Sequence, residues 1–426
     1  IWLTDNKLSK FEYFNNGFPK GIDKRKIYSL KQFEGKLVAA THFGLYITGK
    51  DKINWRKVNL PVKEQRLTDL SYKGDTLIVL TRSHVIKTTD FKVFFPVKLP
   101  DPNGYERKVG LFNTLWQLHS GKLFGLAGRL FVDILGIAAI WLSISGLMHF
   151  FFPKWIKRRK AKKSDPTSLI KAKRWNLHWH NVIGYLAVIF LIINTIAGMF
   201  LRPPLLISIA SKQVGIIPYT HLDNDNAWHD KLRRVTWNDS LEAYIFSTSA
   251  GFYFSDEKLS DPLIPAPTQP PVSVMGLNVF EPLAPEIYLV GSFTGMYVWN
   301  LKDGMIYEFL TGNPLTGPVS AGRPVGQNMV AGWVTKQDGK GWWFDYNRGA
   351  IGLNGQSDFP PMTPEIIQKT PTSWWNAALE IHTGRIFEHI IGPFYILIVP
   401  LAGLCLVIVL ISGFFTWWMG YRKIIK

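Results

Sequence analysis

Thiols are nearly absent from this chain: Cys405 is the only cysteine in 426 residues. That excludes a disulfide framework, a thiolate metal site and covalent haem attachment, which needs Cys-x-x-Cys-His. Any β-rich region must then be held by its own apolar core. Acid is also scarce, with 31 Asp and Glu against 49 Lys and Arg and a net charge of +18. No Gly-x-Gly-x-x-Gly follows a strand-like run and there is no phosphate loop, so the chain is not expected to bind NAD(P)H or a flavin dinucleotide itself. An initiator Met is missing too. The chain opens on Ile1-Trp-Leu-Thr, and a further membrane span is expected upstream.

Long apolar runs are present. Leu123 to Phe152, Val182 to Leu201 and Ile390 to Trp418 each supply enough residues to cross about 30 Å of hydrocarbon at 1.5 Å per residue. Between the first two lie Lys154 to Lys163, then Lys171, Lys173 and Arg174, together ten basic residues against one acid, Asp165. Arg422, Lys423 and Lys426 close the chain. Short basic loops stay in the cytoplasm, so the charge reads as a topological signal rather than a nucleic-acid surface. The expected organisation is an outer β segment (1–115), a membrane helix (116–153), a basic cytoplasmic loop (154–176), a second helix (177–202), a second outer β segment (203–376), a third helix (377–420) and a tail (421–426).

The outer segments alternate apolar and polar residues in short runs broken by Gly and Asp, a strand-and-turn pattern. A unit recurs: Thr41-His-Phe-Gly-Leu-Tyr-Ile-Thr, Ser249-Ala-Gly-Phe-Tyr-Phe-Ser and Gly291-Ser-Phe-Thr-Gly-Met-Tyr-Val-Trp, with a degenerate copy at Leu80-Thr-Arg-Ser-His-Val-Ile-Lys. Such spacing predicts about two propeller blades before the first span and about three after the second. A single β-propeller split by the helical hairpin is the economical arrangement, and two unrelated small β domains are the alternative.

Six of the ten histidines lie in or beside the spans: His119, His149, His178, His180, His382 and His389. Leu118-His-Ser-Gly-Lys-Leu-Phe matches Ile381-His-Thr-Gly-Arg-Ile-Phe in character at every position. Gly136 with Ser145-Gly146 matches Gly403 with Ser412-Gly413, with four extra residues in the second copy. Two parallel copies imply a pseudo-two-fold axis along the membrane normal, which would bring His119 and His382 to equal depth, facing each other. Facing imidazoles in a helix bundle can hold b-type haem, here with Arg129, Arg385 and Lys122 toward its propionates. Interfacial polar residues at helix ends are the bland alternative. The same symmetry expects His180 to pair with an upstream His, with His149 as fallback. His389 is a ligand, propionate contact or proton carrier, and Asp133 and Glu388 are unassigned.

At these residues the sequence resembles the PepSY-associated transmembrane family. The resemblance rests on His-[Ser/Thr]-Gly with the following Gly and Ser-Gly at His119 and His382, and on His180-x-x-x-Gly184. It implies ligand roles for His119, His382 and His180, four helices, and two b-type haems, the second completed by a His outside this sequence. Some members are inner-membrane dihaem reductases that pass electrons to ferric siderophores. That implies a multi-pass bacterial inner-membrane protein with a large periplasmic domain, lipid around its helices and a periplasmic or outer-membrane uptake partner. The electron donor is not specified. Members often carry compact PepSY modules where this chain has propeller-like repeats. Two other functions compete: a membrane-anchored β-propeller that binds a partner without redox activity, and a transporter using the histidines and Asp133 as a proton relay.

Overall fold

The computed structural model of the chain describes residues 1–5, 9–49, 54–273, 276–315, 326–335, 341–353 and 359–425, so Lys426 of the basic tail lies outside them. Eight α-helices occur among these residues: α1 (Leu111–His119), α2 (Gly125–Ala161), α3 (Thr167–Met199), α4 (Leu205–Ile209), α5 (Pro364–Lys369), α6 (Trp374–His382), α7 (Glu388–Ile391) and α8 (Ile398–Ile425). The chain divides into two compact units, one of residues 1–107 with 224–377, the other of 108–223 with 378–426.

Among the described residues the first unit is β in its regular structure apart from a 3-10 turn at Asp23–Arg25, α5 and the start of α6. Five antiparallel meanders follow one another along the chain. Their first strands are Ile27–Phe33, Leu67–Lys73, Leu232–Asn238, Leu277–Ala284 and Val330–Thr335. Four of the sheets have four strands and the fifth has three. Two precede the first long helix and three follow the second, the numbers that the repeat spacing predicts. Among the described residues each sheet is separate, and none closes on itself.

The recurring sequence unit is the turn between second and third strands. Gly44, Gly251 and Gly295 open the third strands with φ of 138°, 122° and 145°, backbone that a Cβ disfavours. The Thr three residues earlier closes two of these turns: Thr41 Oγ1 donates to Gly44 O and Thr248 Oγ1 to Gly251 O, both at 2.8 Å. In the degenerate copy His84 stands where the Gly would be, and Thr81 accepts from the Ser83 and His84 amides.

Cores lie between consecutive sheets. Val38, Leu45, Leu67 and Leu77 join the first to the second, and Leu80, Trp228, Val235 and Phe246 the second to the third. Ile245, Phe252, Tyr288 and Trp299 continue to the fourth, and Leu289, Val330 and Trp343 to the fifth. The second-to-third core unites segments on either side of α1–α4 in sequence. One β unit, not two, is therefore built from both. Every first strand also bulges at its second residue: Tyr28, Thr68, Arg233, Asn278 and Ala331 are each the extra residue opposite the partner strand.

In the second unit three helical stretches are long and apolar enough to cross a membrane, Lys122–Ala161, Thr167–Met199 and Arg385–Gly420. Their outward faces are apolar, with Ile134, Ile137, Ile144 and Leu147 all more than half exposed, as a lipid-facing surface requires. Helix α3 packs against both α2 and α8. Leu135, Ala187 and Leu191 form the α2–α3 seam, while Tyr185 stacks on Trp417 with ring centres 5.0 Å apart. Contacts pair the start of α8 with the end of α3, and the start of α2 likewise, so α2 and α8 run in the same direction.

The structure corrects three expected boundaries. Residues 116–153 are not one helix: α1 ends at His119, Gly121 takes a left-handed conformation (φ 72°, ψ −4°) and a short 3-10 turn precedes α2. Residues 377–420 break in the same way, at Gly384 (φ 71°, ψ 3°) after His382. A left-handed glycine at the helix end satisfies terminal carbonyls and stops propagation. The basic loop is shorter than 154–176, because α2 runs through Pro153 to Ala161 and α3 begins at Thr167. Lys and Arg are good helix formers, so the charged run extends the helix.

Candidate functional site

Both copies of the His-[Ser/Thr]-Gly motif end a nine-residue helix on the histidine, followed two residues later by the left-handed glycine. The repeat can be followed further. Gly125 (φ 63°, ψ −136°) corresponds to Gly392 (φ 57°, ψ −144°), and Gly136 and Ser145-Gly146 to Gly403 and Ser412-Gly413. The four extra residues are thereby located: they are Glu388–Ile391, the whole of α7. His389 therefore sits in an inserted turn with no counterpart in the first copy. It does not share a helix with His382.

The two motif histidines meet. The rings of His119 and His382 have centres 6.0 Å apart and planes inclined by 29°. His119 Nδ1 lies 2.9 Å from the Asn194 carbonyl of α3. A carbonyl only accepts, so Nδ1 carries the proton and Nε2 presents its lone pair. The ring rests on Gly198 of α3, where a Cβ would stand 2.7 Å from His119 Cε1 and 2.9 Å from Nδ1. Only glycine leaves room for it.

A second imidazole is held in the same way. His180, on α3, has Nδ1 2.7 Å from Ser145 Oγ. That hydroxyl donates to the Leu142 carbonyl at 3.2 Å, so it accepts from His180, and Nε2 is again the free nitrogen. Asn176 Nδ2 donates to the Ser145 carbonyl at 2.8 Å, fixing the α2–α3 register there. His149 is an electrostatic neighbour of His180. His178 points elsewhere and is exposed. From His180 to Asn194 is fourteen residues of α3, roughly 21 Å of rise.

The other expected residues are less engaged. Arg129, Asp133, Glu388 and His389 are exposed. Arg385 Nη1 lies 3.5 Å from Glu380 Oε1, and Lys122 Nζ lies 4.2 Å over the Trp116 ring. The sequence reading missed Arg202, an electrostatic neighbour of His382, together with Asn194 and Gly198. A backbone carbonyl leaves no mark in a sequence. Gly198, one residue before the end of α3, reads as an ordinary helix-terminal glycine.

Among the described residues no group of three or more His, Cys, Asp or Glu comes together, and the imidazoles are a pair. Two metal–imidazole bonds of about 2 Å each, with about 1 Å from each nitrogen to its ring centre, put ring centres about 6 Å apart. The 6.0 Å spacing and the unprotonated Nε2 of His119 fit a pair of imidazoles that would hold one metal ion between them.

Comparison with known proteins agrees with the membrane region. The family described as PepSY-associated TM region matches residues 154–420, well over half of the chain. No curated protein matches. Among solved structures, the chain is similar to the extracellular domain of a hybrid two component system from B. thetaiotaomicron, at 10% identity and a TM-score of 0.36, over 78% of this chain and 30% of that one. It is also similar to the extracellular domain of a one component system from the same organism, at 8% identity and a TM-score of 0.21, over 77% of this chain and 36% of that one.

Proposed function

The chain belongs to the PepSY-associated transmembrane family, and from that premise we propose that it is a b-type haem protein of the bacterial inner membrane that carries electrons across the bilayer to a periplasmic acceptor, of which a ferric siderophore is one candidate. The observation that carries this reading is the 6.0 Å pairing of His119 with His382 at the ends of duplicated motifs.

Haem b, when bound, supplies reversible one-electron iron chemistry. The protein's part is to hold and orient. His119 and His382 are the ligands of the outer haem, and the Asn194 carbonyl fixes the His119 tautomer and raises its basicity. Gly198 gives the ring its seat. His180, aligned by Ser145, is the ligand of an inner haem, with His149 as a candidate partner. Arg202, Arg129 and Arg385 are candidates for the outer propionates, and Arg385 would exchange Glu380 for one of them. We read the five sheets as blades of a split β-propeller in the periplasm. Their sequential stacking, with a core between each consecutive pair, supports that reading.

The test is a dithionite-reduced minus oxidised visible spectrum of the detergent-purified protein, with a pyridine haemochrome assay for haem per chain. The expected result is a sharp b-type α band that falls in His119→Ala and His382→Ala. A featureless spectrum from protein made with ample haem sinks the proposal. So does a band unchanged in both variants, which would leave the helices as an anchor for the β unit.

A further inference from the structure

The bulges of the β unit set up a second site, unconnected with haem. A bulge re-aims the side chain of its extra residue, and here it recurs at the same end of all five first strands. At the first three sheets this end carries Tyr or Arg side chains. The first contributes Tyr28, the second Arg66 and Thr68, and the third Arg233. Arg66 lies over the Tyr28 ring at 5.8 Å, with Nη2 3.4 Å from the Tyr28 hydroxyl. That hydroxyl is 3.0 Å from His42 Nδ1. Arg82 grips Asp230 through two nitrogens, and Arg233 Nη1 donates to the carbonyls of Asp230 and Leu232 at 2.8 and 3.0 Å.

Charge does not balance in this cluster. Arg66, Arg82 and Arg233 face two carboxylates, Glu64 and Asp230. Asp230 is taken by Arg82. Glu64 is taken by Thr81, at 2.7 Å, and by His84, at 3.5 Å. Arg66 and Arg233 have no carboxylate partner among the described residues, and Arg66 Nε is shielded from solvent with no hydrogen-bond acceptor. Burial first, then the nearby Arg82, pushes the Arg233 guanidinium down to about 9, against the pull of Asp230. It stays charged at neutral pH. Holding like charges together with unused donors is costly, and an arriving anion would relieve that cost.

We propose that the bulged strand ends form a binding site for a small oxyanion-bearing ligand, a carboxylate or a phosphate, held by the remaining N–H donors of Arg66 and Arg233, with Tyr28 as its wall. Guanidinium groups recognise both anions through paired N–H donors. Glu64 and Asp230 keep Arg82 and His84 in place and repel the ligand from their side.

Isothermal titration of the full chain in detergent with sodium citrate and with sodium phosphate, at ionic strength held constant by NaCl, tests this. Saturable binding of either probe is expected. Citrate alone would identify a carboxylate ligand, phosphate alone a phosphate. Arg66→Gln and Arg233→Gln should each weaken binding about tenfold or more, the loss of one charged pair of hydrogen bonds. Arg233→Lys, which keeps the charge but not the fork, should fall between wild type and Arg233→Gln. Lys302→Gln, an exposed cation elsewhere on the β unit, should bind as wild type does. If Arg233→Gln fails to fold, Arg66→Gln and Arg233→Lys carry the test. No saturable heat above the NaCl control overturns the proposal, and so does an equal loss in Lys302→Gln. Haem-free protein should bind equally well, so failure here is distinct from failure of the haem reading.

Discussion

Replacing Gly198 by Ala adds one methyl to the end of α3 and should dislodge the His119 imidazole. The new Cβ would stand 2.7 Å from His119 Cε1 and 2.9 Å from Nδ1, where non-bonded carbons prefer about 3.5–4.0 Å. The ring must retreat by about 1 Å. Its 2.9 Å bond to the Asn194 carbonyl then lengthens beyond the reach of a hydrogen bond, and the Nε2 position moves with it. Loss of such a supporting bond typically costs 10–100-fold in metal affinity, and the displaced ligand adds to that. The helix itself should not suffer, since Ala is a better helix former than Gly by about 1 kcal/mol. The matched control is Gly136→Ala on α2, where a Cβ meets nothing within 4 Å. Haem per chain and the reduced α band should fall in Gly198→Ala and stay at wild-type values in Gly136→Ala. Wild-type haem content and spectrum in both variants would refute the argument that this glycine seats an axial ligand.

Ser145→Ala removes the acceptor that orients His180, so haem retention at the inner site should drop about 10–100-fold in affinity while the His119/His382 site is unaffected; a titration of apoprotein with haemin, followed by its spectrum, separates the two. In the β unit, burial acts to raise the Asp345 carboxyl. Hydrogen bonds from the Arg348 side chain and from the Arg348 and Asn347 amides outweigh it and hold the group below its ordinary value. A depressed carboxylate stabilises the fold above its unfolded pKa of about 3.9, and that contribution is lost as pH falls through the lower folded value. Asp345→Asn should therefore flatten the acid limb of β-unit stability below about pH 4, measured by tryptophan fluorescence under denaturant. An acid limb identical to wild type would count against it.

The three spans were legible because twenty apolar residues in a row have few other uses. The number of sheets was legible because the turn between second and third strands recurs, and Gly44, Gly251 and Gly295 at positive φ mark three of its copies. What escaped is governed by backbone geometry. A sequence rich in apolar residues around His119 and His382 reads as continuous helix, and only the left-handed state of Gly121 and Gly384 shows that each helix stops there. The bulges are equally silent. Tyr28, Thr68, Arg233, Asn278 and Ala331 share no residue type, and their equivalence appears only when strand registers are compared. The pairing of His119 with His382 was read from the repeat, whereas its supports, the Asn194 carbonyl and Gly198, come from α3 and lie outside the repeat altogether.

The inserted turn gives the duplicated motif its asymmetry. In the first copy the motif is followed at once by Gly125 and α2, and His119 is half-buried against α3. In the second copy α7 and a 3-10 segment, Gly392–Leu397, intervene before α8 begins, and His382 stays exposed. One imidazole is thus fixed by a neighbouring helix through its Nδ1 proton and by a glycine seat. The other is set by its own helix end, close to Arg202. A two-ligand site built this way, as proposed, would have one wall fixed by α3 and one set by its own helix end. Substitutions on the α3 side should therefore alter affinity and spectrum together. Substitutions in Glu388–Ile391 should act through the position of His382 alone.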